Sequence, residues 1–391
     1  MPKAFKLAAL FLMAGGNSPA IAKQEIPREI VVTARSIKDT EADLKACLAR
    51  KCPPDQDIKA TLAHAENQFV AGDYRNARST LVNSLGRNRR HKGKYPVEVS
   101  DLLRANGNVA AHLGEFDVYR ISVLDMRDTL KGALKSNDYR VFGAEIEVAD
   151  SRMKLGYLEE ASDKYLEIEK RALTLGLPQV AAIARLRDLS LRVQRAETER
   201  TAFRKKDALE SIDLFLDAPT EGSEKFKIVA EVLRSRLERV DGNSETADKL
   251  IARYAAMGGT EQPVLLYAMP IRMNEAQAAR AMAGGSDLNR IVTNVVENRW
   301  VDIGFWIGAD GKVDEPEILR NQGSTDWTDV VLKAIKTRIY APLKAESEDS
   351  TPGVYAIERY SLTAQYENDF TGTRIRQRSP VVKIERIDLT G

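Results

Sequence analysis

The sequence is poor in the residues that build most metal sites and disulfide frameworks. Its 391 residues include only 2 Cys and 3 His. The histidines, His64, His91 and His112, share no ligand spacing, which argues against a zinc module or a disulfide scaffold. Phosphate-binding glycine loops, nucleophile elbows and metalloprotease motifs are also missing. We therefore expect a non-enzymatic protein with no cofactor, no metal and no small-molecule substrate.

Net charge is scarce as well. The 59 basic and 57 acidic side chains nearly balance, so the chain as a whole lacks the electrostatic footprint of a nucleic-acid-binding protein. The dense basic run at 87–94 contains no aromatic residue on which bases could stack. It is either a solvated connector or a contact for an anionic or acidic partner. Nucleic acid is not an expected partner.

Residues 1–22 resemble a secretory signal peptide. Lys3 and Lys6 precede a short apolar run from Leu7 to Gly16, and Ala20-Ile21-Ala22 fits the small-x-small cleavage pattern. The run is shorter than the roughly 20 residues that a membrane-spanning helix needs. Cleavage predicts a periplasmic protein. The alternative is an uncleaved N-terminus that anchors the chain in the inner membrane, and membrane contact is expected only in that case.

The segment 23–54 contains a run that favours an extended strand. The run covers five consecutive positions, Ile30, Val31, Val32, Thr33 and Ala34, of which the first four are β-branched. The run resembles the TonB box, by which TonB-dependent outer-membrane receptors add a strand to the sheet of TonB. The resemblance implies partner binding by β-augmentation. The partner would be a TonB-family protein or a TonB-dependent receptor; an ordinary strand is the alternative.

The same segment contains the only two cysteines. Cys47 and Cys52 have four residues between them, and Pro53-Pro54 stops the helix that Cys47 would end. An oxidising compartment permits such a pair to form a disulfide. The C-x-x-C spacing typical of a redox-active pair is absent. We predict a structural disulfide.

A helical repeat with a 42-residue period runs through residues 55–258. Gly72, Gly114 and Gly156 each follow an apolar helical stretch and lie 42 residues apart, and each is expected to end a helix in a left-handed C-cap. A small residue stands seven positions before each glycine, where two antiparallel helices must approach closely. A bulky residue follows each glycine and seals the turn. These residues are Ala65, Gly107 and Ala149, and Tyr74, Phe116 and Tyr157.

This pattern resembles the tetratricopeptide repeat. Ala77 and Ala161 follow the first and third glycines by five positions, whereas the second repeat departs from the pattern with Tyr119. The resemblance implies a solenoid of antiparallel helix pairs whose concave surface binds protein segments. Beyond Gly176 the resemblance fades, although the sequence up to 257 still favours helices.

Residues 259–391 favour strands. Trp300–Ile307 alternates in the strand manner, Asp310-Gly311 favours a hairpin turn, and a return strand is predicted at 313–319. A helix is predicted at 326–338, followed by strands at 354–366 and 381–389. Over residues 296–367 this order resembles the C-terminal domain of TonB energy transducers. The resemblance implies a small sheet whose edge accepts an extended partner strand.

The predicted fold class is therefore multi-domain: an N-terminal antiparallel helix-pair solenoid followed by a small antiparallel sheet with one packed helix. Helical repeats stand where a TonB transducer has a proline-rich spacer. We therefore expect an accessory of TonB-dependent uptake, which binds protein partners through a repeat groove and by strand addition to the sheet. The alternatives are a membrane-anchored transducer with an uncleaved N-terminus and a generic envelope scaffold.

Overall fold

A computed structural model describes residues 36–218, 224–239, 242–243, 245–274, 277–278, 299–344, 353–366 and 378–390. The chain from Ser36 onward forms one compact unit. The predicted signal peptide and the segment Ile30–Ala34 lie outside the described residues.

Helices that pack side by side with their neighbours in sequence form the first part of this unit. They are α1 (Ile37–Ala49), α2 (Pro54–Val70), α3 (Tyr74–Asn88), α4 (Pro96–His112), α5 (Phe116–Ala133), α6 (Tyr139–Lys154), α7 (Leu158–Thr174), α8 (Pro178–Glu199), α9 (Ala202–Asp217), α10 (Glu224–Arg239) and α11 (Glu245–Ala256). Short connections between them make successive helices antiparallel. The structure confirms the predicted helix-pair solenoid.

Local signals in the sequence set where these helices begin. The side chains of Asp73 and Thr201 accept hydrogen bonds from backbone N–H groups in the first turns of α3 and α9, which satisfies donors that have no partner within the helix. Proline occupies the first position of α2, α4 and α8, where its missing N–H costs nothing.

Left-handed turns continue beyond the three glycines found in the sequence. The next connections inside a helix pair have positive φ at Arg200 and Gly242, 44 and 42 residues further along. The pairs α8–α9 and α10–α11 therefore continue the spacing of the first three pairs. The sequence loses this marker at Arg200, because a non-glycine residue there adopts a φ of 51°.

In the described residues after the solenoid, the named elements are six strands and the helix α12. They are β1 (Leu265–Tyr267), β2 (Arg299–Gly308), β3 (Glu317–Gln322), α12 (Asp329–Lys336), β4 (Ile339–Tyr340), β5 (Gly353–Tyr366) and β6 (Arg378–Asp388). The main sheet is antiparallel with the order β3-β2-β5-β6, and β1 pairs with β4. The packed sheet and helix confirm the predicted class for this region.

Two predicted elements are shorter than expected. The return strand begins at Glu317 rather than 313, because Val313 forms only an isolated bridge to Ile307 beyond the turn. Helix α12 ends at Lys336 rather than 338, because the chain then leaves to form β4. There the Tyr340 N–H donates to the Gly311 carbonyl at 2.8 Å.

The main sheet has two different faces, and both are covered. The first face is mainly apolar and packs against α12, for example through Val301, Ile303 and Tyr360. The second face contains Trp300 and Arg359 and lies on the solenoid. Because of this second contact β2 is buried continuously from Arg299 to Phe305, although its alternating sequence favours one covered face only.

Candidate protein-interaction surface

The small residues of the repeats lie where helices of a pair meet. Ala65 and Ala149 are buried. A Cβ added to Gly107 would lie 3.2 Å from Ser122 Cβ and 3.5 Å from the Tyr119 ring. In the second repeat the smaller residue is therefore on the first helix of the pair. Gly107 on α4 makes room for Tyr119 on α5, where the other two repeats have alanine.

The predicted turn glycines have left-handed backbones. Their φ values are 83° at Gly72, 74° at Gly114 and 91° at Gly156. At the first turn, the Gly72 N–H donates to the Phe69 carbonyl and the Asp73 N–H to the Gln68 carbonyl, both at 2.8 Å. These bonds satisfy carbonyls that would otherwise lack partners at the end of α2.

Gly72 has a second role that its spacing in the sequence does not reveal. A Cβ at this position would collide with the indole ring of Trp300, on β2. At Gly156 an added Cβ would meet nothing within 4 Å. The first turn is therefore also a place where the sheet packs closely on the solenoid.

Around this contact, aromatic side chains of α2, α3 and α4 meet the Ser361 hydroxyl of β5. Tyr74 is buried, stacks on Phe69 with ring centroids 4.8 Å apart, and shares a hydrogen bond of 2.7 Å with the Ser361 hydroxyl. His112 Nδ1 lies 3.0 Å from the same hydroxyl. Burial, together with the charges of Lys154 and Arg359, lowers the pKa of His112 to about 3. The imidazole is therefore neutral at ordinary pH.

Arg359 joins the sheet to the end of α2. Its guanidinium is completely buried, pairs with Asp302 across the strands at 2.6 Å, and lies 4.0 Å from the Trp300 ring centroid. It also donates to the backbone carbonyls of Phe69 and Val70, each at 2.6 Å. A cation is favoured there, because the C-terminal end of a helix carries a partial negative charge.

Strand β6 contacts the solenoid near the second and third turns. The Lys383 ammonium lies 4.5 Å from the centroid of the buried Phe116 ring and donates to the Lys154 carbonyl at 3.0 Å. The Lys154 side chain pairs with Glu385 at 2.6 Å. Tyr157 after the third glycine is 51% exposed. Of the three predicted turn residues, Tyr74 and Phe116 lie under the sheet and Tyr157 does not.

The outer edge of β3 is open toward solvent. All six of its residues are exposed, and among the described residues no strand or backbone hydrogen bond pairs with its outer side. Arg320 fixes the strand by pairing with Asp302 and by donating to the Val70 carbonyl at 3.4 Å. The register shifts between Ile318 and Arg320. Such an edge offers unpaired backbone groups to another chain.

A disulfide and side-chain hydrogen bonds join the first helix, α1, to α2. Cys47 and Cys52 are joined by a disulfide that spans the connection from α1 to α2. Thr40 Oγ1 lies 3.2 Å from His64 Nδ1 and accepts a hydrogen bond from the Asn67 amide at 3.2 Å. These contacts place the start of α1 beside the last turns of α2.

In the described ranges, no three His, Cys, Asp or Glu side chains are grouped as a metal site, and no helix is long and apolar enough to span a membrane. A cleft between α7, α8 and α9 is lined by three arginines, each paired with a carboxylate: Arg192 with Asp207, and Arg195 and Arg204 with Glu199.

Comparison with known proteins gives structural neighbours only. No protein-family model and no curated protein matches the chain. The crystal structure of BtubC (BKLC) from P. vanneervenii is 16% identical with a TM-score of 0.41, over 61% of this chain and 95% of that one.

Two crystal structures of a kinesin light chain candidate from Podosopora anserina, with nearly identical TPR-like repeats, are also similar. Both are 10% identical over 52% of this chain, and they cover 95% and 96% of those chains. The TM-scores are 0.40 for a single-residue variant of that protein and 0.39 for the other structure. None of the three structures is described as a TonB-type protein, so the resemblance of residues 296–367 stays a prediction.

Proposed function

We propose that this chain is a non-enzymatic protein-interaction protein whose solenoid holds a small sheet, so that the open edge of the sheet takes up an extended segment of a partner protein. The observation that carries this proposal is β3, with six exposed residues and hydrogen-bonding partners on one side only among the described residues. The predicted groove of the solenoid is a further surface for protein partners.

The physical basis is strand addition. Backbone hydrogen bonds along β3 supply affinity, and its side chains select the register. Ile318 and Leu319 are 37% and 39% exposed and offer apolar contacts, while Glu317 and Arg320 favour complementary charges in the partner. Since Trp300 donates to Gln322 at 2.9 Å and also packs at Gly72, the edge is held in place before binding, which lowers the entropy cost of association.

The finer part of the proposal concerns the partner and the location. We propose that the partner belongs to TonB-dependent uptake and that the protein acts in the periplasm after cleavage of residues 1–22. This is supported by the resemblance of Ile30–Ala34 to a TonB box. It is also supported by the order β2, β3, α12, β5, in which β5 pairs with β2. A generic envelope scaffold remains the alternative.

Binding of a labelled peptide that covers Gln24 to Ser36 tests the proposal. The peptide is titrated into the full chain carrying Val31→Pro, so that the chain's own segment does not compete. The full chain is used because the solenoid covers one face of the sheet, which residues 260–391 alone would expose. We expect an anisotropy change that Leu319→Pro abolishes, since the proline ring blocks the edge. Leu319→Ala retains the backbone N–H and should leave binding in place.

Two results would count against strand addition at β3. The first is no binding at high micromolar peptide concentration. The second is binding that Leu319→Pro leaves unchanged, or that survives unaltered when the peptide carries Val31→Pro. A chain that binds no such peptide but retains other protein partners would favour the scaffold alternative.

A further inference from the structure

The two faces of the main sheet differ in how far they need to be shielded from water. The face toward α12 is mainly apolar, with Val301, Ile303 and Leu362 buried there, so it must stay covered. The face toward the solenoid is mainly polar and presents these side chains: Asp302, Arg359, Ser361, Lys383 and Glu385. An antiparallel sheet can leave a polar face in water.

Few apolar residues of the sheet belong to the core of the solenoid. In the described ranges, the apolar cluster built by α2 to α6 includes one buried residue of the sheet, Trp300, and one partly buried residue, Ile387. The sheet and α12 have a separate cluster of their own. Each part therefore retains its main core if the two separate.

Separation would leave the buried ion pair between Arg359 and Asp302 intact. Arg359 and Asp302 face each other across β5 and β2, so their ion pair belongs to the sheet and would become an ordinary surface pair. Separation would break the hydrogen bonds of Arg359 to two carbonyls of α2, the bond between Tyr74 and Ser361, and the Lys154–Glu385 ion pair. Polar interactions of this kind are typical of domain interfaces that open.

The surface under the sheet is rich in aromatic rings. Phe69, Tyr74 and Phe116 are 7%, 1% and 1% exposed, and all three lie at the turns that the sheet covers. Clustered aromatic residues are enriched at sites that bind proteins. At the third turn the corresponding first residue of the helix is Leu158, which packs on a different apolar cluster, built by α6, α7 and α8.

We propose that the C-terminal sheet is a releasable cover of the solenoid. Trp300 and Arg359 form the latch that holds it on the turn at Gly72. In this closed state the sheet covers the aromatic surface of Phe69, Tyr74 and Phe116. The inference goes beyond strand addition at β3 and does not depend on it.

The test compares two double variants of the full chain. The latch variant is Trp300→Ala with Arg359→Ala. The control is Trp306→Ala with Arg386→Ala, which removes the same residue types from contacts inside the sheet, with Tyr355 and Glu358. Hydroxyl-radical footprinting reports the exposure of Tyr74 and Phe116, and hydrogen exchange reports the integrity of β2 and β5.

In the latch variant we expect the oxidation rates of Tyr74 and Phe116 to rise at least about tenfold, the change that about 1.4 kcal/mol of lost docking free energy gives. Amide protection in β2 and β5 should stay as in the control variant. Oxidation no faster than in the control would overturn the proposal. So would a simultaneous loss of protection in both strands, because the sheet and the solenoid would then unfold as one cooperative unit.

If the latch variant does not fold, the same two measurements on the wild-type chain at low urea concentrations test the proposal. If the sheet is releasable, oxidation of Tyr74 and Phe116 rises at urea concentrations that leave the β2 and β5 amides protected. A rise of both signals over the same urea range contradicts it.

Discussion

Gly72 meets two demands at once. Its φ of 83° allows the left-handed turn that ends α2, and its missing Cβ leaves room for the Trp300 ring. Gly156 meets only the first demand, with a φ of 91° and open space where a Cβ would lie. The two glycines therefore form a matched pair that separates backbone strain from the docking of the sheet.

Alanine at Gly72 should destabilise the chain more than alanine at Gly156. Both substitutions carry the cost of a left-handed alanine, about 1 kcal/mol. Only Gly72→Ala adds a collision with a packed ring, typically about 1–3 kcal/mol. Urea unfolding of both variants measures the difference. Equal losses of unfolding free energy would show that Trp300 does not pack against this turn.

His112 makes the same junction sensitive to acid. The unfolded chain binds a proton on this imidazole below about pH 6.5, whereas the folded chain does so only near pH 3, because burial and the charges of Lys154 and Arg359 lower its pKa. Its contribution to stability is therefore complete above pH 6.5 and is lost as the pH falls from there toward 3.

Between pH 7 and pH 5, the wild-type chain should lose about 1–2 kcal/mol more unfolding free energy than His112→Gln, which keeps a polar side chain but cannot titrate. Urea unfolding at several pH values measures this. Parallel stability curves for the two chains would show that His112 is not buried at the junction.

At the scale of elements, α1 depends on a covalent link. It packs on α2, has few buried residues of its own, and is joined to α2 by the Cys47–Cys52 disulfide. The link restricts the unfolded chain more than the folded one. It belongs to the start of the solenoid, whose later turns recur at Arg200 and Gly242 without such support.

Removing the disulfide should therefore cost about 2 kcal/mol, the loop-entropy value for a link that closes so short a loop. Thermal or urea unfolding of the chain with and without a dithiol reductant measures the effect. The Cys47→Ser, Cys52→Ser chain should match the reduced wild type and should not respond to the reductant. A response of that double variant would point to an effect of the reductant elsewhere.

At the scale of the whole molecule, local patterns predict the parts but not how they meet. The glycine spacing predicts the first three helix pairs, and alternation in Val301–Ile307 predicts the apolar face of the sheet. The contact between Trp300 and Gly72 joins residues far apart in sequence, and no local period encodes it. The second face of β2 mixes Trp300 and Trp306 with Asp302 and Gly304, and such a composition does not predict its burial against α2 and α4.

The central claim is that the solenoid and the sheet together hold β3 as an edge for an extended partner segment. Hydrogen exchange of the full chain, carrying Val31→Pro so that its own segment does not compete, tests this with and without saturating peptide Gln24 to Ser36. We predict new amide protection confined to Glu317–Gln322. Protection that appears elsewhere and leaves this strand unchanged, or no change at saturating peptide, would contradict the claim.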